Sequence, residues 1–219
     1  MTPQAPISEP LVPEPITTSE LVAPVLCFAL LMPVGLRVVL GIHGLADVAT
    51  VVVAAWLGVV ATDLTSGVVH YLCDNYFAED TPVIGRALIE PFRRHHVDPN
   101  DILRGNVLHA NRSNCFAMAA VLAAVALWHA LEPGAPTSLL ANGWLLGYSL
   151  AVVLTNQVHR WAHAAVVPQP VRWLQAHRLL LDPARHQRHH ATHTSAFCIT
   201  TGWLNPVFDR FVHTLHTGS

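Results

Sequence analysis

Four long apolar runs set the pattern of this chain, and each is long enough to cross a lipid bilayer as a helix. They cover residues 21–40, 45–69, 115–131 and 139–156. Because about 20 apolar residues span the hydrocarbon core, these runs predict four transmembrane helices. Pro24 and Pro33 in the first run kink a membrane helix without forbidding it. A turn at Pro133, Gly134 and Pro136 separates the third run from the fourth.

Polar residues collect before, between and after these runs. Residues 1–19 are rich in Pro, Ser and Thr, which predicts a disordered amino-terminal tail, and residues 20–219 then form one membrane domain. Residues 70–114 and 157–219 are polar and carry most of the histidines. Four membrane crossings place both of these segments on one side. The sequence therefore predicts an all-α integral membrane protein with a histidine-rich helical cap.

The arginines indicate which side carries the cap. Eleven of the twelve basic residues, all except Arg37, lie in the two cap segments. Cytoplasmic loops of membrane proteins carry an excess of basic residues, so the cap is predicted to face the cytosol. The composition fits a membrane protein, since 52% of the residues are hydrophobic and only 12% are charged. The formal net charge of -2 and the lack of a basic tract argue against a nucleic-acid partner.

Histidines in this cap occur at metal-binding spacings. His159 and His163 lie four residues apart in QVHRWAH and share one face of a helix. In the pattern HxxHH, His186 and His189 are expected to share a face, with His190 turned toward a second ion or a supporting role. Neutral imidazole is the common nitrogen ligand of iron, zinc and copper. These spacings predict a metal site, and two metal ions are the natural hypothesis.

The central cap segment adds further candidate ligands. His70 and Asp74 have i, i+4 spacing after the second run, so the carboxylate can orient the imidazole or bind beside it. His95 and His96 follow in FRRHHVDP. The hypothesis depends on the joint occurrence of these patterns, because a lone histidine is more often a surface residue. Additional candidate ligands or supporting residues are Asp98, His109, Asn111, Gln157 and His193.

The set of donor atoms favours iron. The four cysteines form no CxxC pair, which argues against copper(I) and iron–sulfur clusters. A zinc hydrolase needs three protein ligands and an open position, whereas this cap offers many more candidates. A histidine-rich site beside a bilayer suits a pair of non-haem irons that use oxygen to oxidise an unactivated C–H bond.

Several longer segments are distinctive in combination. They are HYLCDN, PVIGRALIEPFRRHHVDPNDILR, TNQVHRWAH, HQRHH and FCITTGWLNPVFD, between about residue 65 and about residue 212. Together they resemble the Kua or plasmanylethanolamine desaturase family of lipid desaturases. That family also includes a plastid enzyme that introduces a trans double bond into a palmitoyl chain of phosphatidylglycerol. The carboxyl-terminal segment CITTGWLNP resembles the plasmanylethanolamine desaturases, the plasmalogen branch of the family, more than it resembles the plastid enzyme.

The resemblance implies a membrane-bound, iron-dependent and oxygen-using desaturase that acts on an alkyl or acyl chain of a phospholipid. In the plasmanylethanolamine branch the product is a vinyl ether. Electrons are expected from a ferredoxin-like or cytochrome b5-like carrier. When the histidine motifs of the family are matched to this sequence, the implied metal ligands are His70, His95, His96, His159, His163, His186, His189 and His190.

Four arginines of the cap are candidates to bind the acidic electron carrier or the phosphate of the lipid, although the topology alone also accounts for them. They are Arg93, Arg94, Arg160 and Arg188.

The chain departs from the plasmalogen branch at Gly105, at His109 and in the run Ala191-Thr192-His193 after HxxHH, where a proline is common. Gly105 stands where a histidine is common, and His109 stands where a glutamate is common. His109 could supply the lost ring from the next turn of helix. Two other functions therefore remain open beside plasmanylethanolamine desaturation. One is desaturation or hydroxylation of a phospholipid acyl chain by the same di-iron site, and the other is a non-catalytic membrane protein that binds metal or scaffolds a partner.

Overall fold

The computed structural model describes residues 15–132 and 138–217, and no β-strand occurs within these two ranges. The amino-terminal part of the predicted tail, residues 1–14, and the predicted turn at residues 133–137 lie outside the described residues. In chain order the α-helices are α1 (Thr18–Leu40), α2 (Leu45–Asn75), α3 (Glu90–Val97), α4 (Val107–Leu131), α5 (Leu139–His163), α6 (Gln169–Ala176), α7 (Pro183–Thr192) and α8 (Asn205–Thr217).

Four of these helices, α1, α2, α4 and α5, are long and apolar enough to cross a membrane. Each contains one of the apolar runs found in the sequence, so the predicted all-α membrane architecture with four spans is confirmed. Three of them continue by six or more residues into the polar cap segments: α2 extends to Asn75, α4 begins at Val107 and α5 extends to His163. These polar extensions carry candidate ligands away from the apolar part of the same helix.

Capping side chains mark where several helices begin. The hydroxyl of Thr17 accepts a hydrogen bond from the first turn of α1, and the hydroxyl of Ser138 does the same for α5. Asn106 caps α4, and Asp182 caps α7 with a hydrogen bond to Ala184 N at 2.9 Å. Each cap satisfies a backbone N–H that has no partner within its helix. The polar residues between the apolar runs therefore also fix the starts of the helices.

Glycines bring α2 and α5 into direct backbone contact. A Cβ atom added at Gly147 would lie 2.2 Å from the carbonyl oxygen of Ala55, and one added at Gly58 would lie 2.4 Å from that of Trp144. Small residues at a helix interface allow this approach in membranes, where close packing drives association. The contact sets the polar ends of α2 and α5 side by side, which is where the candidate ligands lie.

The helices α1, α4 and α5 share a buried apolar core, which contains Ala23, Cys27, Leu31, Val34, Cys115, Met118, Ala119, Leu122 and Val153. Large apolar side chains on the outer face of α1, such as Val25, Met32 and Val39, are exposed. This distribution suits a helix that faces lipid on one side and protein on the other.

A buried carboxylate in α2 anchors the loop between α7 and α8. Asp63 accepts hydrogen bonds from the backbone N–H groups of Thr201, Gly202 and Leu204, at 2.8, 2.8 and 3.0 Å. Its side chain is fully buried. The sequence marks Asp63 only as a polar residue near the end of a span. The structure shows that it ties the carboxyl-terminal loop to the membrane helices.

Candidate metal centre

The eight histidines expected as ligands lie at the polar ends of α2 and α5 and on the cap helices α3 and α7. Their side chains form two groups, and in each group one ligand atom per residue lies within 4.8 Å of all the others. The first group contains His95, His159, His163, His186 and His190. The second group contains His70, Asp74, His96 and His189.

Ring nitrogens converge closely in the first group. His186 Nε2 lies 2.7 Å from His159 Nε2, 2.6 Å from His163 Nε2 and 3.0 Å from His190 Nε2. One ring nitrogen carries at most one hydrogen, so it cannot donate to all three neighbours. Two nitrogens bound at right angles to one metal at ~2.1 Å would lie ~3.0 Å apart. The spacing of these nitrogens therefore fits a shared metal ion.

In the second group a carboxylate oxygen lacks a hydrogen-bond partner. Asp74 Oδ2 is buried and accepts no hydrogen bond, although the Nε2 atoms of His70 and His189 lie 3.4 and 3.6 Å away. His96 Nε2 lies 3.3 Å from the other carboxylate oxygen. A buried charge without a partner is costly, and a cation held by the same four side chains would compensate it. The residues of this group therefore also fit a metal ion.

Backbone carbonyl groups orient two rings of the second group. His70 Nδ1 lies 3.1 Å from the carbonyl oxygen of Phe197, and His189 Nδ1 lies 2.8 Å from that of Ser195. A carbonyl oxygen can only accept, so Nδ1 of each ring carries the hydrogen and Nε2 presents its lone pair to the group. Phe197 belongs to the segment that Asp63 anchors. The loop thus sets the ring orientation needed for metal binding.

Burial keeps histidines of the two ligand groups neutral. Removal from water, together with the neighbouring histidines, lowers the pKa of His96 and of His190 to about 4. Burial likewise lowers the pKa of His189 to about 3, while its hydrogen bond to the Ser195 carbonyl acts in the opposite direction. An imidazole that stays uncharged at neutral pH keeps the lone pair with which it binds a metal.

Neighbouring histidines serve different groups. His186 and His190 belong to the first group and His189 to the second, which corrects the expectation that His186 and His189 point together. A four-residue step along a helix comes closer to a whole turn than a three-residue step, so His190 follows His186 more nearly. On α3, His95 likewise belongs to the first group and His96 to the second. Helices α3 and α7 thus each contribute to both groups.

Comparison with known proteins agrees with these motifs. Residues 59–214 match the family described as a lipid desaturase domain. The chain belongs to this family. The resemblance read from the sequence motifs is thus confirmed. No solved structure matches the chain.

Several named desaturases resemble the chain over 69–72% of its length. It is 38% identical over 153 residues to plasmanylethanolamine desaturase of Myxococcus xanthus, which covers 69% of this chain and 53% of the relative. It is 34% identical over 159 residues to plasmanylethanolamine desaturase 1 of Mus musculus, with 71% and 59% covered. The chloroplastic fatty acid desaturase 4 of Arabidopsis thaliana is 33% identical over 160 residues, with 72% and 47% covered. The chain thus spans about half the length of these relatives.

Two additional candidate histidines, His109 and His193, belong to neither group. His109 Nδ1 is 2.7 Å from Glu20 Oε1 of α1, so His109 does not supply the ring that Gly105 lacks. Gly105 has a φ of 75°, a left-handed conformation that glycine adopts without strain. His193 Nδ1 lies 2.9 Å from His96 Nδ1, so it contacts a candidate ligand without joining either group.

The remaining candidates have structural contacts away from the two groups. Asp98 accepts a hydrogen bond from Arg104 at 2.7 Å on the surface. Asn111 Oδ1 accepts the backbone N–H of Gln157 at 3.1 Å, which ties α4 to α5 beside the site. Only Asp74, among the additional candidates, lies within a group. Its i, i+4 spacing from His70 was the signal in the sequence that pointed to this position.

Proposed function

We propose that this chain is a membrane-bound, di-iron, oxygen-dependent desaturase that converts plasmanylethanolamine to plasmenylethanolamine. The observation that carries this proposal is the pair of converging ligand groups, one of five histidines and one of three histidines with Asp74, in a member of the lipid desaturase family. Two relatives that bear the name plasmanylethanolamine desaturase support the choice of substrate.

Each ligand group would hold one iron. Imidazole nitrogen with a carboxylate is a set of donors that suits non-haem iron, and no cysteine takes part in either group of the described residues. When bound, the irons supply the oxygen-derived oxidising power that removes hydrogen from an unactivated carbon. The eight histidines and Asp74 would hold both ions, and the carbonyl groups of Phe197 and Ser195 orient His70 and His189.

The reaction balances with an external source of electrons. Desaturation removes two hydrogen atoms from adjacent carbons of the lipid, while one oxygen molecule is reduced to two molecules of water. The lipid supplies two of the four electrons, and a ferredoxin-like or cytochrome b5-like carrier supplies the other two. Two protons from solvent complete the balance. A soluble carrier must reach the cap, and the excess of arginine in the cap supports a cytosolic position for it.

The position of the site suits a lipid whose reactive bond lies close to its headgroup. The predicted apolar runs end at Val69 and Asn156, immediately before His70 and Gln157. The ligand groups therefore lie at the edge of the apolar layer. The carbons of a vinyl ether are only a few bonds from the glycerol, so they lie at this same depth. His70 and His189 are fully buried, which keeps bulk water from the second group.

Desaturation or hydroxylation of a phospholipid acyl chain is the second candidate function. The similarity to chloroplastic fatty acid desaturase 4 favours it. A purely non-catalytic role has less support, because the departures from the family pattern at Gly105 and His109 lie outside both ligand groups. These departures leave the proposed ligand set complete.

Reconstitution tests the proposal. The purified chain is loaded with iron, its metal content is measured, and it is supplied with a reduced carrier, oxygen and either plasmanylethanolamine or a diacyl phospholipid. Mass spectrometry is expected to show loss of two hydrogen atoms from the alkyl lipid. Gain of one oxygen atom would identify a hydroxylase instead. If the iron-loaded chain changed neither lipid while a working desaturase did so with the same carrier, the proposed function would be rejected.

A further inference from the structure

A cavity of about 320 Å³ lies against the first ligand group. His95 and His159 form part of its wall, so the cavity reaches the first ligand group. Four arginines also line it: Arg86, Arg94, Arg104 and Arg112. An arginine-lined cavity beside a catalytic centre is suited to an anionic group of the substrate.

Two of these arginines are neutralised by carboxylates. Arg94 Nε donates to Asp101 Oδ2 at 2.8 Å, and its Nη1 lies 3.4 Å from Glu90 Oε1. Arg104 forms ion pairs with Asp98 at 2.7 Å and with Asp101 at 3.1 Å. Both acidic residues that line the cavity, Glu90 and Asp101, therefore face arginines already.

The other two arginines have no carboxylate partner among the described residues. Arg112 Nη1 reaches only the hydroxyl of Ser19, at 3.4 Å. Arg86 forms no ion pair or side-chain hydrogen bond within residues 15–132 and 138–217. Arg86 belongs to a π-helical turn, Gly85–Ile89, that continues into α3. The cavity thus carries two guanidinium groups whose charge the described residues leave uncompensated.

The depth of Arg112 matches that of a lipid phosphate. Arg112 lies three residues before Cys115, the first residue of the predicted apolar run, and therefore about one turn outside the hydrocarbon layer. Phosphate groups of a bilayer occupy this interfacial region. His159, on the same cavity wall, follows the end of the fourth run by a similar distance.

We infer that Arg86 and Arg112 bind the phosphate group of the phospholipid substrate and so place its reactive carbons beside His95 and His159. The planar guanidinium group offers paired N–H donors that match phosphate oxygens. This inference rests on the proposed function, because it assigns the substrate of the same site. It adds a binding subsite and names the headgroup phosphate as the part of the lipid that is recognised.

The arginines that the sequence offered for this role have other contacts. Arg93 donates to the carbonyl oxygen of Phe77, and Arg160 Nη2 donates to that of Leu103 at 3.0 Å. Arg94 is paired with acidic residues, as described above. Arg188 lines a different cavity, beside Asp209. Arg86 and Arg112 therefore replace the four arginines of the sequence analysis as the proposed phosphate contacts.

Equilibrium binding tests this subsite without relying on turnover. Dihexanoyl glycerophosphoethanolamine, a short-chain phospholipid, is titrated into the full metal-loaded chain in nonionic detergent, and heat is recorded. Arg86→Gln and Arg112→Gln are each expected to weaken binding about tenfold, the effect of losing one charge-assisted hydrogen bond. Arg172→Gln is the matched control, because Arg172 is an exposed residue of α6 away from the cavity. Its affinity for the lipid is expected to equal that of the unmodified chain.

Two further ligands identify the source of the phosphate. Dihexanoylglycerol has the same chains without phosphate, and both arginine variants are expected to bind it as the unmodified chain does. Inorganic phosphate is expected to compete only at concentrations far above those of the lipid. Equal competition by inorganic phosphate would indicate a site for the free anion and overturn the assignment to a lipid. Unchanged lipid binding in the Arg86→Gln/Arg112→Gln double variant would also overturn it.

Lysine variants cover the case in which the glutamine variants fail to fold. Arg86→Lys and Arg112→Lys retain the charge but lose the paired donor geometry, so intermediate affinity is expected. Full affinity in the folded double lysine variant would contradict recognition by paired donors.

Normal lipid binding without any turnover would reject the proposed function alone. Normal turnover with lipid binding that does not depend on either arginine would reject the subsite alone.

Discussion

His186 and His163 place their Nε2 atoms 2.6 Å apart, although they lie on different helices. His163 is the last residue of α5, and His186 lies near the start of α7. Two imidazoles at this distance share either a proton or a metal ion. Because His186 Nε2 also lies within 3.0 Å of His159 and His190, a metal ion is the partner that satisfies every nitrogen.

Replacing His186 with alanine is expected to remove iron from the first group and abolish desaturation. The variant should still insert into the membrane, since α1, α2, α4 and α5 are unchanged. Metal content per chain, measured by mass spectrometry, is expected to fall by about half. His177→Ala is the control, because His177 is exposed and lies outside both groups. Full metal content and turnover in the His186→Ala variant would show that this residue is not a ligand.

Asp74→Asn tests whether the carboxylate belongs to the metal site. The amide keeps the size of the side chain but removes the charge that faces His70, His96 and His189. Iron affinity of the second group is expected to fall at least roughly tenfold, while the first group retains its metal. Asp80→Asn, at an exposed position, should change nothing. Identical iron titrations of the Asp74→Asn variant and the unmodified chain would contradict a ligand role.

Asp63→Asn is expected to loosen the loop that orients His70. The amide retains one acceptor oxygen, but its NH₂ group would face the backbone N–H of Leu204, which now donates to Asp63 Oδ2. Leaving this buried N–H without an acceptor should cost about 1–3 kcal/mol in the free energy of unfolding. Thermal unfolding in detergent measures the loss. Asp47→Asn is the control, because Asp47 accepts backbone hydrogen bonds at an exposed helix start. Equal unfolding temperatures for both variants would argue against the anchoring role of Asp63.

Gly147→Ala is expected to separate α2 from α5. The new methyl group would overlap the backbone of Ala55, which cannot move aside as a flexible side chain does. The expected loss of stability is about 1–3 kcal/mol. Gly35→Ala provides the comparison, because no atom lies within 4 Å of the added Cβ. If both variants unfolded at the same temperature, the backbone contact between α2 and α5 would not be what holds them together.

The sequence could predict the spans and the candidate ligands, because both depend on local patterns. Apolar runs of sufficient length define membrane helices, and the four-residue spacing of His159 and His163 correctly predicts that they act together. The division into two groups depends on how α3 and α7 lie against α2 and α5. Adjacent residues such as His95 and His96 therefore serve different groups, which no local spacing reveals.

Sequence patterns could not predict contacts between residues that lie far apart in the chain. His109 pairs with Glu20, which lies 89 residues away, and the expectation that it replaces a missing ligand fails for this reason. Asp63 accepts from Thr201, 138 residues away, so its anchoring role was equally hidden. The uncompensated charge of Arg86 and Arg112 could also not be predicted, since it depends on which carboxylates the fold brings to Arg94 and Arg104.

The most direct test of the central claim is a lipid analysis of a plasmalogen-free bacterium that is fed alkyl-ether lipid. The bacterium expresses either this chain or its His189→Ala variant, together with an electron carrier. Acid-labile vinyl ethers are expected only with the unmodified chain, and both proteins are expected to insert equally into the membrane. If no vinyl ether appeared despite confirmed iron loading and a working carrier, the assignment as a plasmanylethanolamine desaturase would be contradicted.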